Sequence, residues 1–239
     1  MSFLSNKPSE QSLSGTEGTL SKLQLKNVNK SFGGLRVLEN LSLEVKANEI
    51  VSILGPSGCG KSTLFNIISG IEKADSGEIF LDNEACGKEI LGRVSYMNQK
   101  DLLLPWRSLM DNISLPYLIQ GMKGIEAKKK ILPLLQMFGL EGFENEFPQR
   151  LSGGMRQRGA FLRTLIQNKE LVLLDEPFAS LDSMTRRAMY TWFLELRTKL
   201  NFTAVIITHD MEEAMFLSDR IYKLRDRPST VIDEIYSGS

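Results

Sequence analysis

The chain has 239 residues, 42% of them hydrophobic and 24% charged, with 29 Lys and Arg set against 29 Asp and Glu. That length buries a full core without disulfide staples, and no apolar run approaches the ~18 residues that cross a bilayer; the balanced charge lacks the cationic excess of phosphate-backbone binders, so nucleic acid is not an expected partner. The two cysteines, Cys59 and Cys86, form no CxxC, and the N-terminus lacks the basic and apolar halves of a signal peptide, which implies a reducing, cytoplasmic compartment.

Residues 1–20 are rich in Ser, Gly and Glu with few large apolar side chains, so they are expected to form a disordered tail, and the folded domain is expected to span 21–239. Three short apolar runs follow: IVSIL (50–54), LVLL (171–174) and AVIIT (204–208). Runs of this kind suit strands buried on both faces of a parallel sheet. Each precedes a helical pattern, KSTLFNIISG, SMTRRAMYTWFLELRTKL and MEEAMFLS in turn, which is the order of an α/β crossover fold. Between the first two runs the texture changes. EAKKKILPLLQMFGL reads as part of a helical insertion over about residues 100–168.

The first strand runs into GPSGCGKS (55–62), made of Gly55, Pro56, Ser57, Gly58, Cys59, Gly60, Lys61 and Ser62 and followed by Thr63. This fits G-x-x-x-x-G-K-[ST] between a strand and a helix, the context a phosphate-binding loop requires. Glycines let backbone N–H groups turn toward phosphate oxygens, the helix N-terminus adds partial positive charge, Lys61 reaches the terminal phosphates and Ser62 can ligate Mg²⁺.

LVLLDEP ends its strand in Asp175 and Glu176, stopped by Pro177. Ligands of open α/β sheets gather at the carboxyl ends of the strands, so both acids are expected to face the same crevice as the P-loop. Asp175 can hold Mg²⁺ through water, and Glu176 can polarise an attacking water. The third strand end delivers His209, the only histidine. A lone histidine is otherwise a satisfied core or surface residue; here its position points to the γ-phosphate. Asp210 and Glu213 have the spacing of a reciprocal helix cap. LSGGMRQR (151–158) opens another helix with a Ser-Gly-Gly turn, a second anion nest that faces either nothing or a nucleotide held by another molecule.

GPSGCGKST, Gln99, LSGGM, LLDEP, SLD (180–182) and THD, in this order, resemble the ATP-binding subunit of an ABC transporter over nearly the whole chain from about residue 23. The resemblance implies a P-loop NTPase α/β core with a mainly parallel sheet, an antiparallel N-terminal β part and an inserted helical subdomain. It implies ATP and Mg²⁺ as cofactors, and a second copy of the chain as partner, with each ATP held between one P-loop and the Ser152, Gly153 and Gly154 of the other copy. Asp182, in SLD, counts among the nucleotide-binding residues. Phe32 in KSFGG stands where an aromatic ring stacks on adenine, although a phenylalanine at a strand end is as often core. Gln99 stands near Mg²⁺ and the attacking water, so Ser62, Gln99 and Asp175 form the metal set, and Glu176, His209 and Gln99 the catalytic set. Two positions depart from the family pattern: the fifth signature residue is Met155, which offers no amide, and Asn48-Glu49 replaces Gly-Glu, where Asn also tolerates a positive φ.

The stretch MNQKDLLLPWRSLMDNISLPYLIQG, with LLPWR followed by DNI, resembles importer ATPases for nitrate, sulfonate and taurine, a group that includes suppliers of thiamine-precursor pyrimidines. That implies transmembrane permease subunits, an extracytoplasmic solute-binding protein acting through them, and a peripheral position on the cytoplasmic face of the membrane. Leu102, Leu103, Leu104 and Trp106 are expected to be an exposed apolar cluster that contacts the permease, or a loop that merely packs on the surface. An exporter ATPase remains an alternative. A non-transport ABC ATPase would need a coiled-coil insertion or a second cassette, and a small-molecule kinase would leave LSGGMRQR and THD without roles.

Overall fold

Strands β1 (Ser21–Phe32) and β2 (Leu35–Lys46) form an antiparallel hairpin turned at Gly33 and Gly34, both at positive φ. The computed structural model describes residues 21–86, 90–167, 169 and 171–236; the expected tail over 1–20 lies outside the described residues. The next strand, β3 (Ile50–Leu54), is buried at all five positions and leads into helix α1 (Lys61–Ile68). Strands β4 (Ser76–Leu81) and β5 (Glu84–Ala85) return to the hairpin, giving an antiparallel sheet in the order β2-β1-β4-β5.

Strand β6 (Ser95–Met97) begins the second half, and three helices follow it: α2 (Leu109–Ile119), α3 (Gly124–Met137) and α4 (Gly153–Leu165). They interrupt the crossover before β7 (Leu171–Asp175), which precedes α5 (Ser183–Leu200), β8 (Thr203–Thr208), α6 (Met211–Leu217), β9 (Arg220–Leu224) and β10 (Val231–Tyr236). The six-stranded sheet has the order β10-β9-β3-β8-β7-β6, parallel throughout except for β10 at its edge. The fold is therefore the expected mixed α/β one, with a mainly parallel sheet, an antiparallel N-terminal sheet and inserted helices.

The three apolar runs are continuous because each strand is covered on both faces, and alternation sorts their side chains into two cores. Val51, Ile53, Leu171, Leu173, Val205 and Ile207 pack with β1, β2 and α1. Ile50, Val172, Leu174, Ala204 and Ile206 face the helices, where Phe138, Phe161, Trp192, Phe193 and Phe202 make edge and tilted ring contacts. Among the described residues no helix is long and apolar enough to cross a membrane.

Two expectations fail locally. Leu103 is not exposed: it is 7% accessible and belongs to the core around α2 and α4, while Leu102 and Trp106 point outward at 55% and 71% and Leu104 is half-buried. Three consecutive leucines cannot share one face of an extended segment, and this one is pinned at both sides. Arg163 donates to the Asp101 and Leu102 carbonyls at 2.6 and 2.8 Å, and Asn112 holds the N–H and carbonyl of Leu104. The reciprocal cap also stays half-made. Asp210 accepts from the Glu212 and Glu213 N–H groups, but the Glu213 side chain turns inward to the Tyr190 hydroxyl, and the Asp210 N–H goes to Thr208 Oγ1.

Candidate active site

The register brings four strand ends to one rim: Leu54 lies beside Thr208, Asp175 beside Ile207, and Met97 beside Leu174. Whatever follows each strand is therefore delivered to the same edge. Those followers are the P-loop, Glu176, His209 and Gln99, and a cavity of about 440 Å³ is lined by the P-loop, Glu176 and Gln99, with His209 beside Glu176.

The P-loop turns through Gly58 and Gly60, at φ 79° and 122°. Any side chain at Gly60 would stand 2.8 Å from Val37 Cγ1, so β2 presses against the loop and only glycine fits. Lys61 is buried at 5% accessibility and donates to the Gly55 and Pro56 carbonyls at 2.7 and 2.8 Å, which spends two of its three donors inside the loop. Ser57, Gly58, Gly60, Lys61, Ser62 and Thr63 line the cavity. Cys59 is fully buried in the core behind the loop, so it can offer a bound molecule only its backbone.

Burial pushes the Asp175 carboxyl above its usual range; the Tyr96 hydroxyl, 3.2 Å away, pulls it down, the Glu176 charge pushes it further up, and Ser62 and Lys61 favour the charged form. A buried carboxylate beside a serine hydroxyl is a hard oxygen pair that suits Mg²⁺, a cation usually held by one or two protein groups together with phosphate oxygens and water. Among the described residues no cluster of three His, Cys, Asp or Glu could hold a metal ion.

Glu176 has a left-handed backbone, φ 43°, locked by its N–H donating to the Ile207 carbonyl at 2.9 Å. A non-glycine residue there carries strain of about 1–3 kcal/mol, and such strain collects where a side chain must be aimed. The carboxylate is aimed between two neighbours. Gln99 Nε2 donates to Oε2 at 3.0 Å, and His209 Nδ1 lies 3.2 Å from Oε1. The imidazole is 58% exposed, so His209 is a rim residue and not a core one.

Phe32 is 46% exposed and lines the cavity, with Lys30 Nζ 4.9 Å from the ring centroid; it is not core. The remaining expected residues are elsewhere. Ser152 caps α4 by accepting from the Met155 N–H, and Asp182 caps α5 by accepting from the Met184 and Thr185 N–H groups and the Thr185 hydroxyl, the last of which holds its pKa below the usual range. Cβ atoms at Gly153 and Gly154 would lie 3.2 Å from Leu181 Cδ2 and 3.1 Å from Thr185 Cγ2, so the two glycines let the start of α4 abut the start of α5. These four residues sit together at the starts of α4 and α5, with Ser152 and Asp182 exposed and Gly154 buried, and none of them lines the P-loop cavity.

Sequence reasoning missed Tyr96, Gln157 and Arg227. Gln157 on α4 donates to the Pro177 carbonyl at 2.6 Å, tying the Ser-Gly-Gly helix to the segment after Glu176. Arg227 reaches the Gly58 carbonyl at 2.6 Å across 169 residues of sequence, a separation that no local motif encodes.

Comparison with known proteins adds to this geometry. Residues 38–179 match the ABC transporter family. The chain is 47% identical over 192 residues to the formylaminopyrimidine import ATP-binding protein ThiZ of Halalkalibacterium halodurans, covering 80% of this chain and 74% of that protein. It is 38% identical over 204 residues to the aliphatic sulfonates import ATP-binding protein SsuB 1 of Shouchella clausii, covering 85% and 77%. Among solved structures, the dimeric ATP-binding cassette MJ0796 bound to ADP and Pi in a post-hydrolysis state superposes with a TM-score of 0.76 at 33% identity, covering 91% of this chain and 99% of that one. The structure of cbiO1 from Clostridium perfringens, part of the ABC transporter complex cbiONQ, gives 0.82 at 25%, covering 91% and 89%.

Proposed function

This chain belongs to the ABC transporter family and is an ABC-type ATPase, and from that premise we propose that it powers an importer, coupling ATP binding and hydrolysis to uptake of a small solute through a separate permease. The observation that carries the catalytic part is the Glu176 carboxylate held between Gln99 and His209 on the rim of the P-loop cavity.

In this reading the backbone N–H groups of 57–63 take the phosphates, Lys61 their terminal charge, and the exposed ring of Phe32 the adenine. Ser62 and Asp175, with Gln99 nearby, would hold Mg²⁺, which when bound supplies positive charge against the phosphates. Glu176 accepts the proton of the attacking water while Gln99 and His209 keep its carboxylate aimed. Ser152, Gly153, Gly154 and Asp182 serve the nucleotide of a second copy. Their separation from the P-loop on one chain supports that reading, because each chain then carries two complementary half-sites, which a symmetric dimer would complete.

The permease contact falls on the stretch 99–112, within a helical unit of about 100–168, and places the chain on the cytoplasmic face of the membrane, with an extracytoplasmic binding protein acting through the permease. The solute is a formylaminopyrimidine-like or sulfonate-, taurine- or nitrate-like molecule, supported by the similarity to ThiZ and SsuB 1. The test is uptake into vesicles holding the permease, this chain and the binding protein. ATP-dependent accumulation of a formylaminopyrimidine or an aliphatic sulfonate is expected; ATP hydrolysis without uptake of any of these compounds would reject the solute class.

A further inference from the structure

The loop 225–230, between β9 and β10, is fastened to the P-loop and to β2 at once. Ser229 Oγ donates to the Cys59 carbonyl at 2.5 Å, its N–H donates to the Val37 carbonyl at 2.8 Å, and its own carbonyl accepts from the Glu39 N–H at 2.9 Å. On this anchored loop Arg227 Nε donates to the Gly58 carbonyl at 2.6 Å, which sets an otherwise exposed side chain on the wall of the cavity lined by Lys61 and Ser62. A guanidinium has five donors, and Gly58 engages one. Among the described residues no carboxylate pairs with it. Its Nη2 stands 3.4 Å from the point a Gly58 Cβ would occupy, against the loop itself.

A P-loop binds anions by turning N–H groups toward them, which turns carbonyls away. A cation on those carbonyls keeps that orientation and adds its own charge to the site. Lys61 already does this at Gly55 and Pro56, and Arg227 makes the same kind of contact one turn further along, at Gly58. Arginine suits the role because its planar fork can hold a carbonyl with one edge and phosphate oxygens with another.

We propose that Arg227 is a nucleotide-binding residue whose free guanidinium donors take α- and β-phosphate oxygens of the bound nucleotide. This rests on the ATPase reading above.

Titration of the full chain with ATP and with ADP tests it, using wild type, Arg227→Ala, Arg227→Lys and, as control, Lys61→Ala. Because Arg227 is exposed and partly screened, the loss expected for Arg227→Ala is on the order of tenfold, at the low end for a charge-assisted hydrogen bond. It should be equal for ATP and ADP, which share the α- and β-phosphates, with Arg227→Lys recovering part of it, an unchanged melting temperature, and a flatter dependence of affinity on salt. Unchanged affinity in Arg227→Ala would overturn the proposal, as would a loss with unaltered salt dependence, which would make Arg227 a brace for the loop. Failure of wild type to bind either nucleotide would instead overturn the ATPase reading; normal binding by wild type and Arg227→Ala, with loss only in Lys61→Ala, would overturn the Arg227 proposal alone.

Discussion

His209 Nδ1 stands 3.2 Å from Glu176 Oε1, on the side of the carboxylate opposite the oxygen that accepts from Gln99 Nε2 at 3.0 Å. Glu176 is thus flanked on both oxygens. The first role the geometry gives His209 is therefore to aim Glu176, together with Gln99 on the opposite carboxylate oxygen.

Replacing Glu176 by Gln keeps the shape and removes the base. ATP affinity should survive while turnover falls by roughly 10²–10⁴, the usual worth of a general base. The bound state should accumulate, so ATP should shift the variant toward a dimer on gel filtration. Near-normal hydrolysis would remove Glu176 from its role.

For His209 the contact makes a finer prediction. His209→Ala should leave ADP affinity nearly unchanged and lower ATPase activity severely. Its melt without nucleotide should hardly move, since the ring is 58% exposed and supports no core. His209→Asn, whose amide can stand where Nδ1 stands, should recover part of the rate if aiming Glu176 is the main role. Equal rates for Ala and Asn would place the function on Nε2 instead.

Glu213 makes the fold sensitive to pH. Burial pushes its carboxyl from 4.5 up to about 7, against the hydrogen bonds of Thr208 and Tyr190 and with the Asp210 charge adding to the rise. The folded chain thus binds this proton more tightly than the unfolded chain does. Its contribution to stability is complete below about pH 4.5 and is lost as pH rises to about 7, a swing on the order of 3 kcal/mol. Glu213→Gln should be more stable than wild type at pH 8 and show a smaller advantage or none at pH 4.5. Urea unfolding at both pH values measures this, and parallel pH profiles for the two proteins would contradict it.

How much of this was legible in the sequence follows a physical line. IVSIL, LVLL and AVIIT read as central strands because both faces of each are covered, and once they are neighbours their ends must deliver Lys61, Asp175, Glu176 and His209 to one rim. Those positions depend on strand order and on residues adjacent in sequence. Tyr96 depends on β6 pairing beside β7, and Arg227 and Gln157 on a loop and a helix packing from far away in sequence, which no spacing rule reaches. The inward turn of Glu213 was hidden for a related reason: the local cap pattern competes with a tertiary partner, Tyr190 on α5, and the partner wins. The positive φ of Glu176 has no marker in sequence either, since glutamate is not a residue that seeks that conformation.

The last prediction concerns the stretch 99–112, where burial separates two residues that read alike in sequence. Leu103, 7% accessible in the core of the helical side, should not tolerate charge: Leu103→Asp buries an unpaired carboxylate and should cost more than about 3 kcal/mol, seen as a lower melting temperature and loss of all activities together. Trp106 is 71% accessible; earlier in the same stretch the Leu102 carbonyl is held by Arg163, and Asp101 pairs with Arg156 on α4 at 3.3 Å. Asp101 and Leu102 are therefore tied to the Ser-Gly-Gly helix, two and three residues beyond Gln99, which touches Glu176. Trp106→Ala should leave the melt and the basal ATPase of the purified chain unchanged while weakening permease binding and uptake in reconstituted vesicles, since exposed tryptophans are favoured interface anchors. Basal ATPase, uptake and melting temperature measured on the same preparations separate the cases. Full uptake by Trp106→Ala would move the coupling surface elsewhere on the chain, and a stable, active Leu103→Asp would overturn the burial that distinguishes the two.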